Sequence, residues 1–407
     1  MSAVWKAVFP AACLAIAVAS AAAGADEDFP APDEYNPASF KWGITSAESD
    51  FMAAFLALFP KESAPAVDPK LCAAARGKSE ELAGLPKLPR KLDSSSFRPL
   101  LWKYGVVEFQ YLPVSFVVDD IQSDLRALKD YVSSTSQDGF SSCGFGLAPR
   151  KGGGRVATVI CAKKIAEISP IGRQYANGSN VVLKGVLLQG YTRPRVFVSQ
   201  PSGQVSKIEP GVGAEGFGAT LKFDGGPGKY LVQVMATGKS GPEVAVVVPV
   251  YVEIRMADIM KDITSPLVTT DPSKGVDAKK AEEMLGNAIN FERSKMNLKP
   301  LKPLAELHTL AKTKSKLMAD AKQFGHNVKK VSLESSLKHA MVTYSTAGEN
   351  IGVNSSPKMG HYLFMNSPAH RANILSSVMT RFGVGVEKTK DTDEYYITEI
   401  FVCLEDY

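Results

Sequence analysis

Histidine is missing from most of this chain. The 407 residues include five histidines, and all of them lie between positions 308 and 370. Cysteine is also scarce, with five residues and no Cys-x-x-Cys pair, which argues against a zinc site built from cysteines. The His-Glu-x-x-His, Gly-x-Ser-x-Gly and P-loop sequences are absent as well, which excludes the motifs of common zinc proteases, serine hydrolases and nucleotide hydrolases. Any site that needs an imidazole must come from the C-terminal quarter.

The chain carries little excess charge. Lys and Arg number 47 and Asp and Glu 42, which leaves a net charge of +5. The sequence has no dense basic block with interleaved aromatic residues, the pattern that is typical of a nucleic-acid groove. We therefore expect no nucleic-acid partner. The 45% hydrophobic fraction indicates a globular protein, and the length predicts two or three domains.

An apolar run lies at the N-terminus. It follows Lys6 and ends in the small residues Ala23-Gly24-Ala25, just before the acidic stretch that begins at Asp26. This pattern predicts a secretory signal peptide, residues 1–25, cleaved at an Ala-x-Ala site. The alternative is a membrane anchor, but the run is shorter than the roughly 20 residues that a spanning helix needs. We expect a secreted protein, extracellular or periplasmic, with no transmembrane segment after cleavage.

Four cysteines remain after cleavage of the predicted signal peptide, and two of them flank a turn signal. Cys143 and Cys161 lie on either side of residues 151–154, Lys-Gly-Gly-Gly, a sequence typical of a hairpin turn. This symmetry places them opposite each other on two antiparallel strands, and an oxidising compartment would allow a disulfide between them. The alternative is that both are small buried hydrophobic residues.

Composition and periodicity divide the chain into segments. Residues 26–45 are acidic and Pro-rich and predict a flexible leader, whereas 46–172 mix helix and hairpin patterns and predict an α+β domain. Short alternating strands between turns predict a β-sandwich over 178–255. A linker is expected over 256–278, where Thr, Ser, Pro and Asp become frequent, and helical patterns return in the last domain, 279–407.

Short sequences recur in the same order at the two ends of the chain, which predicts an internal repeat. The matching pairs are 71–79 with 307–315, 144–147 with 383–386, and 160–161 with 402–403. This alignment places Cys72 at the position of His308 and Cys161 at the position of Cys403. Because the front copy contains no histidine, it lacks an imidazole site and keeps at most a structural or binding role.

Three motifs stand out in the last domain. They are FGHN at 324–327, AGENIG at 347–352 and SPAHRANIL at 367–375. Here the sequence resembles the CAP superfamily, also called SCP or PR-1-like, and particularly its bacterial branch. The resemblance covers about 279–402.

The resemblance implies an α-β-α sandwich with an open cavity lined by two histidines and two acidic residues. By motif position His326 and His370 are the imidazoles and Glu349 is the first carboxylate, with Asn350 beside it. Ser367 takes the second acidic position, so the set of four is incomplete. With the repeat, this predicts an α+β multidomain protein: a degenerate CAP-like N-terminal domain, a middle Ig-like β-sandwich and a C-terminal CAP-like domain.

The residue chemistry supports a cavity. Ser367 followed by Pro368 is an N-cap and first-turn pattern, so His370 is expected in the first helical turn, where the helix dipole favours a neutral imidazole. Two imidazoles and one carboxylate are the ligand set of many open zinc sites, which makes zinc the candidate cofactor at His326, His370 and Glu349. The alternative is a structural hydrogen-bond network with no metal.

Fold alone does not establish an activity, so three functions remain open. The first is a non-enzymatic extracellular or cell-envelope binding protein with a lipid, glycan or protein ligand. The second is a metal-assisted hydrolase that acts on peptide or cell-wall substrates through His326, Glu349 and His370. The third is a purely structural secreted protein.

Overall fold

The computed structural model describes residues 31–404 apart from short gaps. The gaps are residues 90–91, 93, 127, 129–130, 134, 136–138, 266–270, 272 and 391–392. The predicted signal peptide and the first five residues of the predicted leader lie outside the described residues. Across the described ranges, no helix has the length and apolar character needed to cross a membrane.

The N-terminal unit surrounds one four-stranded sheet with short helices. Its helices are α1 (Ser46–Leu56), α2 (Pro69–Ala83), a 3₁₀ turn (Ser94–Phe97), α3 (Arg98–Lys103) and α4 (Ile121–Arg126); its strands are β1 (Glu34–Tyr35), β2 (Ala66–Val67), β3 (Tyr111–Val118), β4 (Ser142–Pro149) and β5 (Arg155–Ala162). The sheet has the order β2-β4-β5-β3, with a parallel β2–β4 pair and antiparallel neighbours elsewhere. Helices α1 and α2 begin where Thr45 and Asp68 supply side-chain caps.

Glycines allow α2 to lie directly on β4. A Cβ atom on Gly144 would lie 2.1 Å from the carbonyl carbon of Leu71, and one on Gly146 would lie 2.0 Å from the backbone nitrogen of Arg76. No other residue type leaves room for so close an approach of helix and strand backbones. The Gly-x-Gly spacing of β4 therefore fixes where α2 packs.

In the middle unit, two mainly antiparallel sheets pack against each other. Its strands are β6 (Ala166–Ile168), β7 (Ile171–Gly172), β8 (Gln174–Tyr175), β9 (Ser179–Leu187), β10 (Thr192–Ser199), β11 (Val205–Ile208), β12 (Gly211–Gly213), β13 (Gly216–Phe223), β14 (Gly228–Gly238) and β15 (Gly241–Val252). The sheet orders are β11-β10-β14-β15-β8 and β12-β13-β9-β6. Val196, Val232 and Leu221 from the facing sheets are buried in one core. Strands β6 and β8 precede residue 178, so the sheets extend beyond the predicted boundary.

The segments before and after these units contribute to the cores. Strand β1 pairs with β7, and Tyr35 is fully buried. Helix α5 (Met256–Thr264) places Ile259 and Ile263 in the core of the middle unit. The structure therefore differs from a flexible leader over 31–45 and from a linker that begins at 256. The physical reason is that these three side chains bury apolar surface, which composition alone did not reveal.

The C-terminal unit stacks helices on both faces of a sheet. Its helices are α6 (Ala278–Lys295), α7 (Ala305–Ala321), α8 (Leu333–His339), α9 (Pro357–Met365) and α10 (Pro368–Ile374); its strands are β16 (Lys302–Pro303), β17 (Tyr344–Asn354), β18 (Arg381–Lys388) and β19 (Tyr395–Leu404). The strand order is β16-β18-β19-β17. On one face Leu307 of α7 packs with Ile400, and on the other Leu285 and Ile374 pack with Phe401. Alternate residues of β19 thus face opposite helix layers.

The N-terminal and C-terminal sheets make the same contacts with their helices. Both begin with a parallel strand pair, and the strand orders correspond one to one. Ser79 Oγ donates to the carbonyl of Gly146 at 2.9 Å, and Ser315 Oγ donates to the carbonyl of Gly385 at 2.8 Å. A Cβ atom on Gly385 would lie 2.0 Å from the backbone nitrogen of Lys312, so glycine is needed here too.

The strand registers correct one part of the sequence alignment. Cys161 lies opposite Cys143 in the first sheet, and Phe401 lies opposite Phe382 in the second. The counterpart of Cys161 by register is therefore Phe401 and not Cys403. The match between residues 160–161 and 402–403 is therefore a chance one. Cys403 lies two residues beyond Phe401, and a shift of two residues leaves a side chain on the same face of the strand.

Candidate functional site

His326 and Glu349 form a direct pair. Glu349 lies in β17, and His326 lies in the segment between α7 and α8, four residues beyond Lys322, which caps α7. The His326 Nδ1 atom lies 2.7 Å from Glu349 Oε2, and the two side chains are 18% and 5% exposed. Since a carboxylate oxygen accepts, Nδ1 is the donor of this hydrogen bond. The Lys314 ammonium donates to the His326 carbonyl at 2.5 Å, which fixes this segment against α7.

His370 lies in α10 and is uncharged. Its surroundings withdraw the ring from water, and this desolvation lowers the pKa of His370 from 6.5 to about 3. The charge that His326 can carry is the second, smaller cause of this lowering. The Phe364 ring meets the imidazole edge-on, with 5.1 Å between centroids. His370 is therefore a neutral, half-buried imidazole next to the His326–Glu349 pair.

Ser367 does not cap α10 in the way its position suggests. It occupies the N-cap position, but its side chain makes no capping hydrogen bond. Its Oγ instead accepts from Gln233 Nε2 of β14 at 3.1 Å, and the Gln233 Oε1 accepts from the Ala369 backbone N–H at 2.7 Å. The expected cap from Ser367 is thus replaced by a glutamine from the middle unit, which sequence spacing could not reveal.

Asn350 connects the site to a buried carboxyl group. Its side-chain NH₂ donates to the carbonyl of His370 at 3.2 Å and to Glu399 Oε2 at 2.9 Å. Asn373 Nδ2 donates to Asn350 Oδ1 at 2.8 Å. This network joins β17, β19 and α10, so Asn350 holds the helix that carries His370.

Glu399 is the residue of this site that the motifs missed. It lies in β19 opposite Asn350 and is fully buried. Burial raises the pKa of Glu399 from 4.5 to about 8, and the Asn350 hydrogen bond offsets only part of this rise. A signal was present: in the alternating strand, Glu399 shares a face with Ile397 and Phe401, both fully buried.

The donor set does not fit a metal ion. The described residues contain no group of three or more His, Cys, Asp or Glu side chains arranged to hold one. One nitrogen of His326 and one oxygen of Glu349 are already engaged with each other. The ligand chemistry of an open zinc site needs three converging protein donors. In the described residues, His326, His370 and Glu349 are therefore not arranged as the three ligands of the predicted zinc site.

Cys143 and Cys161 are neighbours without a bond. They lie directly opposite each other on β4 and β5, yet both are buried free thiols in the structure. Hydrogen bonds from the Cys143 thiol, Tyr131 and Thr135 lower the pKa of Cys161, whereas the hydrogen bond to Cys161 and burial raise the pKa of Cys143. The disulfide predicted from the sequence is thus not formed here, although the two cysteines lie opposite each other on antiparallel strands as predicted.

The N-terminal sheet has apolar residues where the C-terminal sheet has its polar ones. By register, Pro113 lies opposite Ile160 just as Glu349 lies opposite Ile400. The next pair is Val114 with Val159 in the first sheet and Asn350 with Glu399 in the second. The carboxylate, amide and buried acid therefore have no polar counterparts in β3 and β5.

Comparison with known proteins places the C-terminal unit in a family. Residues 287–404 match the CAP model of the cysteine-rich secretory protein family. The uncharacterized protein YkwD of Bacillus subtilis (strain 168) is 37% identical over 106 residues. That alignment covers 26% of this chain and 41% of the relative, so the chain spans less than half the length of that curated protein.

Two solved structures are similar at lower identity. One is an extracellular protein containing a SCP domain from Bacillus anthracis str. Ames, with 22% identity, coverage of 43% of this chain and 64% of the other, and a TM-score of 0.28. The other is a cysteine-rich secretory protein from Staphylococcus aureus subsp. aureus Mu50, with 17% identity, coverage of 64% and 83%, and a TM-score of 0.28. Because these scores are low, the family assignment rests on the sequence matches. The C-terminal unit of this chain, residues 287–404, is a CAP domain.

Proposed function

We propose that this chain is a secreted, non-enzymatic binding protein whose CAP domain holds an extracellular or cell-envelope ligand at His326, Glu349 and His370. The observation that carries this proposal is the 2.7 Å hydrogen bond between His326 and Glu349. It engages the imidazole and the carboxylate with each other, beside a His370 ring that stays neutral. A few fixed polar groups of this kind orient a lipid, glycan or protein ligand by hydrogen bonds. Secretion rests on the N-terminal pattern of residues 1–25.

The alternative is a metal-assisted hydrolase for peptide or cell-wall substrates. That chemistry needs a metal with open coordination positions, which activates a water molecule. To supply it, His326 and Glu349 would have to exchange their mutual hydrogen bond for metal ligation, and His370 would have to converge on the same ion. Because the donor set does not fit a metal, we prefer the binding function.

We also propose that the N-terminal unit is a second copy of the CAP fold that has no site of its own. The matching strand orders and the glycines under α2 and α7 support a shared fold. Pro113 and Val114, in place of Glu349 and Asn350, support the loss of the site. A rigid supporting role follows, since Trp102 of this unit donates to the carbonyl of Val247 in the middle unit at 2.9 Å.

A calorimetric titration of zinc into the whole chain, from Asp26 onward, distinguishes the binding function from the metal-assisted hydrolase. The matched variants are His326→Ala in the site and His339→Ala at an exposed position of α8. We expect the same small, unsaturable heat from wild type and both variants. Zinc binding that disappears in His326→Ala and persists in His339→Ala would favour the hydrolase.

A binding assay tests the proposal directly. The whole chain is applied to a glycan array and to phospholipid vesicles, with the same two variants. We expect retention on one of these surfaces that is lost in His326→Ala and kept in His339→Ala. Equal retention by both variants would place the ligand elsewhere on the chain and contradict the proposed site.

A further inference from the structure

One hairpin of the middle unit contacts both segments that carry the site histidines. It consists of β14, β15 and the turn between them, and we call it the 228–252 hairpin. At one place Gln233, which is fully buried, binds Ser367 Oγ and the Ala369 N–H at the start of α10. His370 follows directly in the same helical turn. The hairpin therefore supplies the N-terminal hydrogen-bond partner of the helix that carries His370.

The turn of the same hairpin lies against the His326 segment. The carbonyl of Ser240 accepts from the backbone N–H of Asn327 at 3.0 Å. A Cβ atom on Gly241 would lie 3.0 Å from the Cβ atom of His326, and one on Gly325 would lie 2.8 Å from the Cβ atom of Ser240. Glycine at both positions lets the two backbones approach so closely.

A third contact comes from the strand next to the hairpin. Arg371 of α10 donates from Nη1 to Ser199 Oγ of β10 at 3.3 Å, and β10 pairs with β14. Helix α10 is short, spanning Pro368–Ile374, and its N-cap serine gives it no side-chain cap. A helix of this length depends on tertiary contacts for its order. These contacts come in part from another unit of the chain.

We propose that the 228–252 hairpin is a clamp over the CAP site: when docked, it fixes His326 and His370 in place and limits access to them, and when released, it exposes both. The clamp rests on the proposed function in one respect, namely that the ligand binds at these histidines. Access to the site is then governed by the contact between two units of the same chain. A ligand that binds the released form would shift the equilibrium toward release.

The test measures how fast each histidine reacts with diethyl pyrocarbonate, which modifies unprotonated imidazoles, by peptide mass spectrometry of the whole chain. The exposed His339 of α8 serves as the reference within each molecule. The first variant, Gln233→Ala, removes the partner of α10. The second, Gly241→Ala, adds a methyl group at the His326 end, at a residue with φ of 99°. The control, Lys229→Ala, changes the same strand at a residue bonded to Asp262.

We expect His326 and His370 to react more slowly than His339 in wild type and in Lys229→Ala. In each clamp variant both should react about tenfold faster, the factor that corresponds to about 1.4 kcal/mol of lost docking, a typical value for buried hydrogen bonds. The decisive result is the effect of each substitution on the histidine at the other end of the hairpin. Gly241→Ala should expose His370, and Gln233→Ala should expose His326.

Three results would overturn the clamp. They are a wild-type His370 as reactive as His339, unchanged rates in both variants when circular dichroism shows them folded, and an increase confined to the histidine nearest each substitution. Should Gln233→Ala fail to fold, Gly241→Ala still gives the His370 readout. The reagent reacts with the imidazoles themselves, so the outcome is independent of whether the site binds a ligand, and failure of the clamp is distinguishable from failure of the proposed function.

Discussion

Glu48 and Glu282 complete the equivalent edges of the N-terminal and C-terminal sheets. Glu48 Oε1 accepts from the Leu147 N–H of β4 at 3.3 Å, and Glu282 Oε1 accepts from the Val386 N–H of β18 at 3.1 Å. In both sheets this N–H lies just beyond the short parallel strand, and the described residues supply no further strand at that edge. A glutamate from the first helix of each unit therefore takes the place of a strand.

The two glutamates should differ in their contribution to stability. Glu48 is fully buried and bonds Arg76 Nε at 2.8 Å, whereas the Lys312 partner of Glu282 is 59% exposed at 3.8 Å. Glu48→Ala removes the carboxylate that the partly buried Arg76 guanidinium bonds and should lower the free energy of unfolding by about 3 kcal/mol. Glu282→Ala should cost about 1 kcal/mol, mainly for the backbone hydrogen bond. Hydrogen exchange of the two units measures each loss, and equal losses would contradict this reasoning.

Gly385 tests the packing of α7 on the sheet. Gly385→Ala places a methyl carbon 2.0 Å from the backbone nitrogen of Lys312, so helix and strand must separate. We expect the free energy of unfolding of the CAP domain to fall by about 3 kcal/mol or more, as in severe overpacking. The control is Gly213→Ala, since nothing lies within 4 Å of a Cβ atom there. Thermal unfolding of both variants measures the difference, and a Gly385→Ala protein as stable as the control would show that α7 can move.

Local sequence signals located the main parts of the fold and of the site. Alternation and turns predicted strands over 178–255, the range that holds β9 to β15, and the short motifs selected His326, Glu349 and His370 as the candidate site. Contacts between units leave no such local signal. The pairing of Tyr35 with β7, and the use of Gln233 as the partner of α10, depend on residues more than 130 positions apart. Neither periodicity nor capping rules extend over that distance.

The free thiols of Cys143 and Cys161 predict a redox response. They lie directly opposite each other on paired strands, a separation that a disulfide can bridge with little movement. In an oxidising compartment we expect the bond to form and to raise the free energy of unfolding by about 3 kcal/mol, because it closes a loop of moderate length. Mass spectrometry of non-reduced peptides after oxidation detects it. The control is Cys403→Ser, which leaves this pair intact; pairing of Cys143 with Cys72 instead would contradict the prediction.

Glu399 predicts a loss of stability with rising pH. Its pKa is about 8 in the folded protein and near 4.5 when exposed, so between these values the folded state holds more protons than the unfolded state. The free energy of unfolding therefore falls as pH rises from about 4.5 to about 8, by up to about 1.4 kcal/mol for each pH unit.

Glu399→Gln removes this titration while keeping an oxygen that accepts from Asn350. The amide cannot ionise, so the variant should be more stable than wild type by about 3 kcal/mol near pH 8 and no more stable near pH 4.5. Thermal unfolding of the whole chain across this range measures the two slopes, with Glu334→Gln, at an exposed position of α8, as the control. If Glu399→Gln and the control show the same dependence on pH, the buried carboxyl group is ionised in the folded protein, and the network around Asn350 holds a charge instead of a proton.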